Sequence, residues 1–267
     1  MSGLSREAIL GLHSPLARIV EVHDALASTQ ERARELARGG TPHGTLVVAG
    51  IQTGGRGRLG RHWGSPAGGL WMSLVLRPGF GASLASRITQ TAAVGVATAL
   101  REVGVEARIK WPNDLLVGGK KICGILAESG IRNIPGPKKE ARLEYAVLGV
   151  GMNANLDPED LGVPGRGVTT IRSELGRDVD PLILLRALLS NLDNELGRIA
   201  YFEAVLEAWR NLNCTLGEMV RVRRHGETVE GRAVDLTREG ALLLATGDAT
   251  VEVFEGEIEH LKQGENV

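Results

Sequence analysis

Short apolar runs alternate with amphipathic stretches along residues 1–213, and this alternation predicts an α/β domain. Thr45–Ile51 is almost entirely apolar, which is typical of a buried strand. Between Leu84 and Val103, apolar residues recur every four positions, which favours a helix packed on a sheet. The other strands predicted in this part are Gly69–Leu76, Ala107–Trp111, Leu115–Val117, Ile122–Ala127 and Tyr145–Gly151.

Capping residues and glycines mark the ends of the predicted helices. A helical pattern runs to Arg38, opened by a capping box of Ser28 with Glu31 and ended by Gly39-Gly40. Two further helices are predicted at Val168–Leu175 and Pro181–Trp209, the second capped by Asp180, and a polar, proline-bearing loop is predicted at Ile131–Arg142.

After about Asn213 the pattern changes to short strands separated by turns, which indicates a second, small β-barrel domain. We therefore expect domains at residues 1–213 and 214–267. The strands predicted in the second domain are Met219–Arg223, Glu227–Asp235, Ala241–Ala245 and Thr250–Phe254.

The composition of the 267 residues is that of an ordinary globular protein, with 43% hydrophobic and 24% charged residues. Because 31 Lys and Arg balance 32 Asp and Glu, no overall basic field would attract nucleic acid. Cys123 and Cys214 lack a metal-ligand spacing and are expected to be reduced thiols. No secretion signal or membrane-length apolar run is evident, so a cytoplasmic location is expected.

The segment GGRGRLGR, residues 54–61, holds four glycines and three arginines and directly follows a predicted strand. Glycine lets backbone N–H groups approach a ligand, and arginine adds planar donors for carboxylate or phosphate. The segment matches neither a Walker A loop nor a dinucleotide-binding motif. It predicts an anion-binding loop, while a solvated turn and an RGG-like nucleic-acid segment remain alternatives.

Three further segments carry candidate chemistry. Pro112 interrupts a strand and presents Lys110, Asn113 and Asp114 at a sheet rim, although the tripeptide is also an ordinary turn. Strand alternation places Lys121 on one face with Cys123 and Ile125, an unusual place for lysine unless it meets an anion. Asn153 ends a buried strand where an amide suits base or ribose recognition, although a tight strand exit would use the same residues.

Taken in order, these segments resemble the catalytic core of a biotin protein ligase. The resemblance rests on Ser28-Thr29, GRGRLGRHW (Gly55–Trp63), KWPNDLL (Lys110–Leu116), GKKICGIL (Gly119–Leu126), GVGMN (Gly149–Asn153), GALLL (Gly240–Leu244) and GEI (Gly256–Ile258). It implies a mixed sheet flanked by helices, similar to class II aminoacyl-tRNA synthetases, and a C-terminal barrel like Src-homology-3 domains. About 20 residues precede the core, which is expected of the ligase-only form without a DNA-binding domain.

The resemblance also implies a two-step reaction. Biotin and ATP would give biotinyl-5′-AMP and pyrophosphate, with Mg²⁺ accompanying ATP and no protein metal ligands assigned. A lysine of a biotin carboxyl carrier protein domain would then attack the adenylate. The expected partner is that carrier domain, with no nucleic acid and no membrane, and the chain would be a monomer or homodimer.

The site residues follow from the same resemblance and from the chemistry of bringing two anions together. Lys121 and Arg58 are the expected catalytic cations, and Asp114 would orient the acceptor lysine or take its proton. The residues expected to bind biotin are Ser28, Thr29, Gln30, Gln52, Arg56, Gly57, Arg58 and Lys121. The residues expected to bind ATP and the adenylate are Arg56, Arg58, Arg61, Trp63, Lys110, Asn113, Lys121 and Asn153.

One departure and two alternatives accompany this interpretation. The family's usual Ser-Thr-Asn is Ser28-Thr29-Gln30 here, which leaves a direct contact from Gln30 open. A lipoate–protein ligase would share the core, but a Gly-Gly-Gly segment ending in His-Asp is expected there, and this loop ends in Arg61-His62-Trp63. A nucleic-acid-binding protein would need interleaved aromatics and a basic surface.

The loop is expected to be disordered when empty and to order over its ligand.

Overall fold

The structure is a computed structural model that describes residues 4–134, 140–162, 167–224, 226–247 and 249–261. Its larger sheet has seven strands in the order β1-β2-β3-β7-β6-β5-β4. The β1–β2 pair is parallel and every other pair is antiparallel. The strands are β1 Ile19–Leu26, β2 Thr45–Gln52, β3 Leu70–Leu76, β4 Arg108–Lys110, β5 Asp114–Val117, β6 Lys120–Ile134 and β7 Glu140–Met152.

Helices cover both faces of this sheet. They are α1 Arg6–Leu10, α2 Thr29–Arg38, α3 Ser86–Glu102, α4 Ile171–Leu175, α5 Pro181–Gly197 and α6 Phe202–Leu212. On one face, Ala33 and Ala37 of α2 pack against valines of β2, β3 and β7. On the other, the predicted apolar stripe of α3 is fully buried in the main core together with residues of α5 and α6. The α2 face carries the site described below.

A second, antiparallel sheet follows, with strand order β11-β10-β9-β8-β12. Its strands are β8 Met219–Arg224, β9 Glu227–Leu236, β10 Leu242–Thr246, β11 Ala249–Val253 and β12 Glu257–His260. The sheet is docked on the first part, because Arg87 of α3 donates to the Arg238 carbonyl at 2.9 Å and the apolar residues of both parts share one core. The predicted α/β class with a small C-terminal β-sheet unit is confirmed, while the boundary at residue 213 stays a prediction.

Some predicted elements are wrong. Instead of one helix over 181–209, α5 ends at Gly197 and a short 3-10 turn separates it from α6, since Arg198 leaves helical geometry. The predicted loop over 131–142 is largely strand, because Ile131 pairs with Leu143 and Arg132 with Arg142 in the β6–β7 ladder. Residues 135–139 of that loop lie outside the described residues.

Three smaller differences concern short or edge elements. The helix predicted from Val168 begins only at Ile171, because Val168 forms a bridge to Lys121 in extended conformation. Helix α1 and strands β1 and β12 have no counterpart among the predicted elements. In the described part of the chain, no helix is both long and apolar enough to cross a membrane.

Candidate active site

A cavity of about 410 Å³ lies on the α2 face of the large sheet, under the glycine–arginine loop. Helix α2, the strands β6 and β7, the turn after β4 and the segment that leads into β12 all contribute to its lining. The predicted site residues, which come from separate sequence segments, all line it: Ser28, Thr29, Gln30, Gln52, Arg56, Gly57, Arg58, Arg61, Trp63, Lys110, Asn113, Asp114, Lys121 and Asn153. The structure therefore brings the predicted set together in one place.

Neutral hydroxyl and amide groups form one end of the cavity. Thr29 Oγ1 lies 2.9 Å from Ser73 Oγ and 3.1 Å from Gln52 Oε1, and Ser73 Oγ lies 3.1 Å from Gln30 Oε1. These three contacts share only two hydroxyl protons, so one of them lacks a hydrogen. Thr29, Gln30 and Ser73 are all buried. This end of the cavity, which we call the acceptor-rich end, therefore has an oxygen free to accept a hydrogen bond from a ligand.

The amide group of Gln30 is fixed by hydrogen bonds within the protein. Its Nε2 donates to Glu128 Oε2 at 3.0 Å and to the Val147 carbonyl at 3.1 Å. A Cβ atom on residue 149 would come within 2.5 Å of its Oε1, so the longer amide fits because Gly149 has no side chain. Both amide protons are used within the protein, and a contact from Gln30 to a ligand would have to come from its oxygen.

Trp63 covers two glycines in the middle of the cavity. A Cβ atom on Gly151 would lie 2.5 Å from Trp63 Nε1, and one on Gly124 would lie 3.2 Å from its ring. The indole meets Trp71 edge to face, with centroids 6.5 Å apart. Because only glycine leaves room for the ring, the indole of Trp63 packs directly on the glycines of β6 and β7.

The opposite end of the cavity carries charge. Lys121 Nζ lies 2.6 Å from Asp114 Oδ1 and 4.8 Å from the centre of the Trp63 ring. Arg58 Nη1 donates to Asn113 Oδ1 at 3.2 Å and to the Gly256 carbonyl at 3.3 Å. Burial lowers the pKa of Arg58, the nearby carboxylate of Asp114 opposes this shift, and the guanidinium stays charged at neutral pH. We call this the cationic end.

Lys121 does not share a face with Cys123 and Ile125, so that part of the sequence interpretation is wrong. The two apolar residues are buried in the main core. The Lys121 side chain instead lies beside Gly124, where a Cβ atom would be 3.3 Å from Lys121 Cε. The β5–β6 register shifts between Leu115 and Leu116, so an extra residue in β6 breaks the simple alternation there.

The glycine–arginine loop folds back on itself and is tied to its surroundings on both sides. Gly57 N donates to the Arg61 carbonyl at 2.8 Å, and Trp63 N donates to the Gly55 carbonyl at 2.9 Å. Arg56 Nη2 lies 2.5 Å from Glu31 Oε1 on α2, and Arg61 forms an ion pair with Glu257 on β12. The second sheet thus contacts the loop directly.

Comparison with known proteins identifies the family. A model described as the Biotin/lipoate A/B protein ligase family matches residues 23–153, and one described as the Biotin protein ligase C terminal domain matches residues 215–261. The chain is 35% identical over 242 residues to the Bifunctional ligase/repressor BirA of Bacillus subtilis, which covers 89% of this chain and 72% of that protein. It is 35% identical over 226 residues to the biotin–acetyl-CoA-carboxylase ligase of Paracoccus denitrificans, covering 81% and 90%. The chain belongs to the biotin protein ligase family.

Solved structures agree with this assignment. The biotin protein ligase from Aquifex aeolicus in complex with biotin and ATP is 28% identical to this ligase and superimposes with a TM-score of 0.75. The match covers 91% of this chain and 98% of that one. The resemblance noted in the sequence and the fold that it implies are therefore both confirmed.

Asn153 stabilises the cationic end of this ligase through the backbone of Lys121. Its Nδ2 donates to the Lys121 carbonyl at 3.3 Å and to the Thr169 carbonyl at 3.0 Å. Its Oδ1 is buried and has no hydrogen-bond partner among the described residues. The side chain therefore holds the backbone of Lys121 in place, and its oxygen stays buried without a partner in the described structure.

Sequence reasoning missed two residues of this site. Ser73 stands alone as a polar residue in the apolar run of β3, and that isolated hydroxyl is the signal that could have identified it. Glu31 was assigned to helix capping, but its carboxylate contacts the loop arginine Arg56. No local signal in the sequence predicts that second contact, because it joins residues from two separate segments.

Proposed function

We propose that this ligase activates biotin with ATP, forming biotinyl-5′-AMP and pyrophosphate, and then transfers biotin to a lysine of a carboxylase carrier domain. The names of the relatives from Paracoccus denitrificans and Mycobacterium tuberculosis support the carboxylase as acceptor. The observation that carries the proposal is a single cavity with a neutral, acceptor-rich end and a cationic end. A molecule with a ureido head and a carboxylate tail, such as biotin, matches both.

The head group is proposed to bind at the acceptor-rich end. A ureido group offers two N–H donors and one carbonyl acceptor. The oxygens of Thr29, Ser73, Gln30 and Gln52 make three contacts that share two hydroxyl protons, so one acceptor is left for a donor. Ser28 caps α2 beside them, and the apolar part of the ligand would lie against Trp63, which lines the cavity between the two ends.

In the first step a carboxylate oxygen of biotin attacks the α-phosphorus of ATP, and the bond to the departing pyrophosphate breaks. Both reactants are anions, so their repulsion is the main electrostatic obstacle. Lys121 and Arg58 are proposed to offset it, each by several kcal/mol as donors in a partly desolvated site. Arg56, Arg61 and the backbone at Gly57 would close over the adenylate and exclude water, which would hydrolyse the mixed anhydride.

The nucleotide is proposed to lie between the cationic end and the turn after β4. Lys110, Asn113 and Asn153 line the cavity and are proposed to contact the nucleotide. Within the described residues, no group of three or more His, Cys, Asp or Glu side chains is placed to hold a metal ion. Because Mg²⁺ often binds through phosphates and water, the proposed Mg²⁺ is expected to be held by ATP, and no step here depends on it.

In the second step the acceptor lysine attacks the carbonyl carbon of the adenylate, the carbon–oxygen bond to AMP breaks, and the amine loses a proton. Asp114 is proposed to orient that amine or to take its proton, since its carboxylate already contacts Lys121 at 2.6 Å. A cytoplasmic location and a monomeric or homodimeric state stay predictions.

The test is exchange of radioactive pyrophosphate into ATP by the purified protein, followed by transfer to a carrier domain. We expect exchange that requires biotin and labelling of one carrier lysine. Exchange without biotin, or only with lipoate or octanoate, would overturn the proposal. Arg58→Gly should release the adenylate faster while the protein stays folded, which a filter assay of bound adenylate measures.

A further inference from the structure

Glu31 lies next to the acceptor-rich end of the cavity and contacts the glycine–arginine loop. It follows Gln30 in the first turn of α2, and its Oε1 lies 2.5 Å from Arg56 Nη2 and 3.7 Å from Arg34 Nη2. Arg34 in turn lies 3.6 Å from Glu128, which accepts a hydrogen bond from Gln30. A row of alternating charges thus joins the glycine–arginine loop to the wall of the acceptor-rich end.

Within the described residues, Arg56 is the one side chain of the first half of the loop that contacts α2, while Gly54 N donates to the Ala27 carbonyl at 2.8 Å just before that helix. Its neighbours at 54, 55 and 57 are all glycine, and a glycine-rich backbone loses more conformational entropy on ordering than any other. The bond from Gly57 N to the Arg61 carbonyl ties the loop to itself and not to α2. The Gly54 bond holds only the start of the loop, so Glu31 is the side-chain contact that fixes Arg56 to the helix beneath it.

We propose that Glu31 is a positioning residue of this ligase: by holding Arg56 it keeps the glycine–arginine loop over the cavity and prolongs retention of the activated adenylate. The part that concerns the adenylate rests on the proposed function. Glu31 touches no reacting atom in this scheme and acts only through Arg56. The Arg61–Glu257 pair holds the returning half of the loop, so losing Glu31 should loosen the loop without freeing it completely.

The size of the effect follows from the exposure of the pair. The side chains of Arg56 and Glu31 are 52% and 34% exposed, so solvent screens their attraction. Ion pairs of this kind contribute modestly, and we expect a change of about threefold to fivefold when one is removed. A threefold to fivefold change is much smaller than the loss expected from removing a catalytic cation. It can still be measured as a difference in rate.

The test compares Glu31→Gln with Glu35→Gln. Glu35 lies on the same helix, contacts Arg32 at 3.2 Å, is 66% exposed and has no contact with the loop in the described structure, so it is a matched loss of charge. The first readout is trypsin cleavage after Arg56, Arg58 and Arg61 in protein without added substrate, resolved by mass spectrometry. The second is the half-life of bound adenylate.

We expect Glu31→Gln to be cleaved at the loop arginines about threefold to fivefold faster and to lose adenylate faster by a similar factor. Cleavage elsewhere in the chain should not change, and Glu35→Gln should match the wild type. The proposal would be overturned if Glu31→Gln were cleaved and lost adenylate at wild-type rates. It would also be overturned if cleavage were equally faster in both variants, or faster throughout the chain. If the wild type forms no adenylate, the proposed function fails, and trypsin cleavage alone still shows whether Glu31 holds the loop.

Discussion

The two ends of the cavity are built from opposite kinds of side chain. At the acceptor-rich end, Thr29 and Ser73 are neutral, buried and linked by hydrogen bonds that leave one acceptor unfilled. At the cationic end, Lys121 and Asp114 form an ion pair with about a quarter of each side chain exposed. Hydrogen-bond matching in a dry site selects a polar but uncharged group, whereas partly buried cations act on anions. One end therefore selects the substrate, and the other promotes its reaction.

The largest effect is expected from the cationic end. Lys121→Ala should reduce biotin-dependent pyrophosphate exchange by roughly a thousandfold, because it removes a cation worth several kcal/mol between two anions. Lys120→Ala is the control, since Lys120 is the exposed neighbour at the start of β6 and does not line the cavity. Exchange within tenfold of wild type in Lys121→Ala would remove this lysine from its proposed role.

The packing of Trp63 on the glycines between the two ends should respond next. Gly151→Ala places a methyl group 2.5 Å from Trp63 Nε1, so the indole has to move. We expect the KM for biotin to rise about tenfold or more, the cost of overpacking a close contact, with a change in tryptophan fluorescence. Gly79→Ala is the matched control, because a Cβ atom there meets nothing within 4 Å. An unchanged KM and spectrum in Gly151→Ala would show that the packing of Trp63 does not shape the biotin site.

The acceptor-rich end should give the smallest effect and a different kinetic signature. Ser73→Ala removes one buried hydroxyl, and we expect the KM for biotin to rise roughly fivefold to tenfold while kcat stays the same. Ser129→Ala, an exposed serine on β6, should have no effect. A fall in kcat with an unchanged KM would mean that the two ends do not divide their tasks as proposed.

Features that depend on a few adjacent residues could be predicted from the sequence. The run Thr45–Ile51 became β2, and Ser28 caps α2 through a hydrogen bond from Glu31 N at 3.4 Å. The motifs that carry the site were also recognised, because each is a short segment whose residue types already suggest its chemistry. All the predicted site residues line one cavity as a result.

Features that depend on distant pairing could not be predicted. Residues 131–134 belong to a proline-bearing stretch that resembles a loop, yet they are strand because the partner strand supplies their backbone hydrogen bonds. The face of Lys121 depends on a register shift against β5, which no alternation within β6 reveals. Arg58 meets the carbonyl of Gly256 across 198 positions of the chain, and only the folded arrangement of the two sheets brings them together.

The central claim is that the acceptor-rich end recognises a ureido head group. Calorimetric titration of the wild-type protein with biotin and, separately, with lipoate tests it most directly, because both acids carry a carboxylate on an apolar chain and only biotin has the ureido group. We predict a saturable heat with biotin and none with lipoate at the same concentration. Binding of lipoate as tight as that of biotin, or tighter, would contradict the claim.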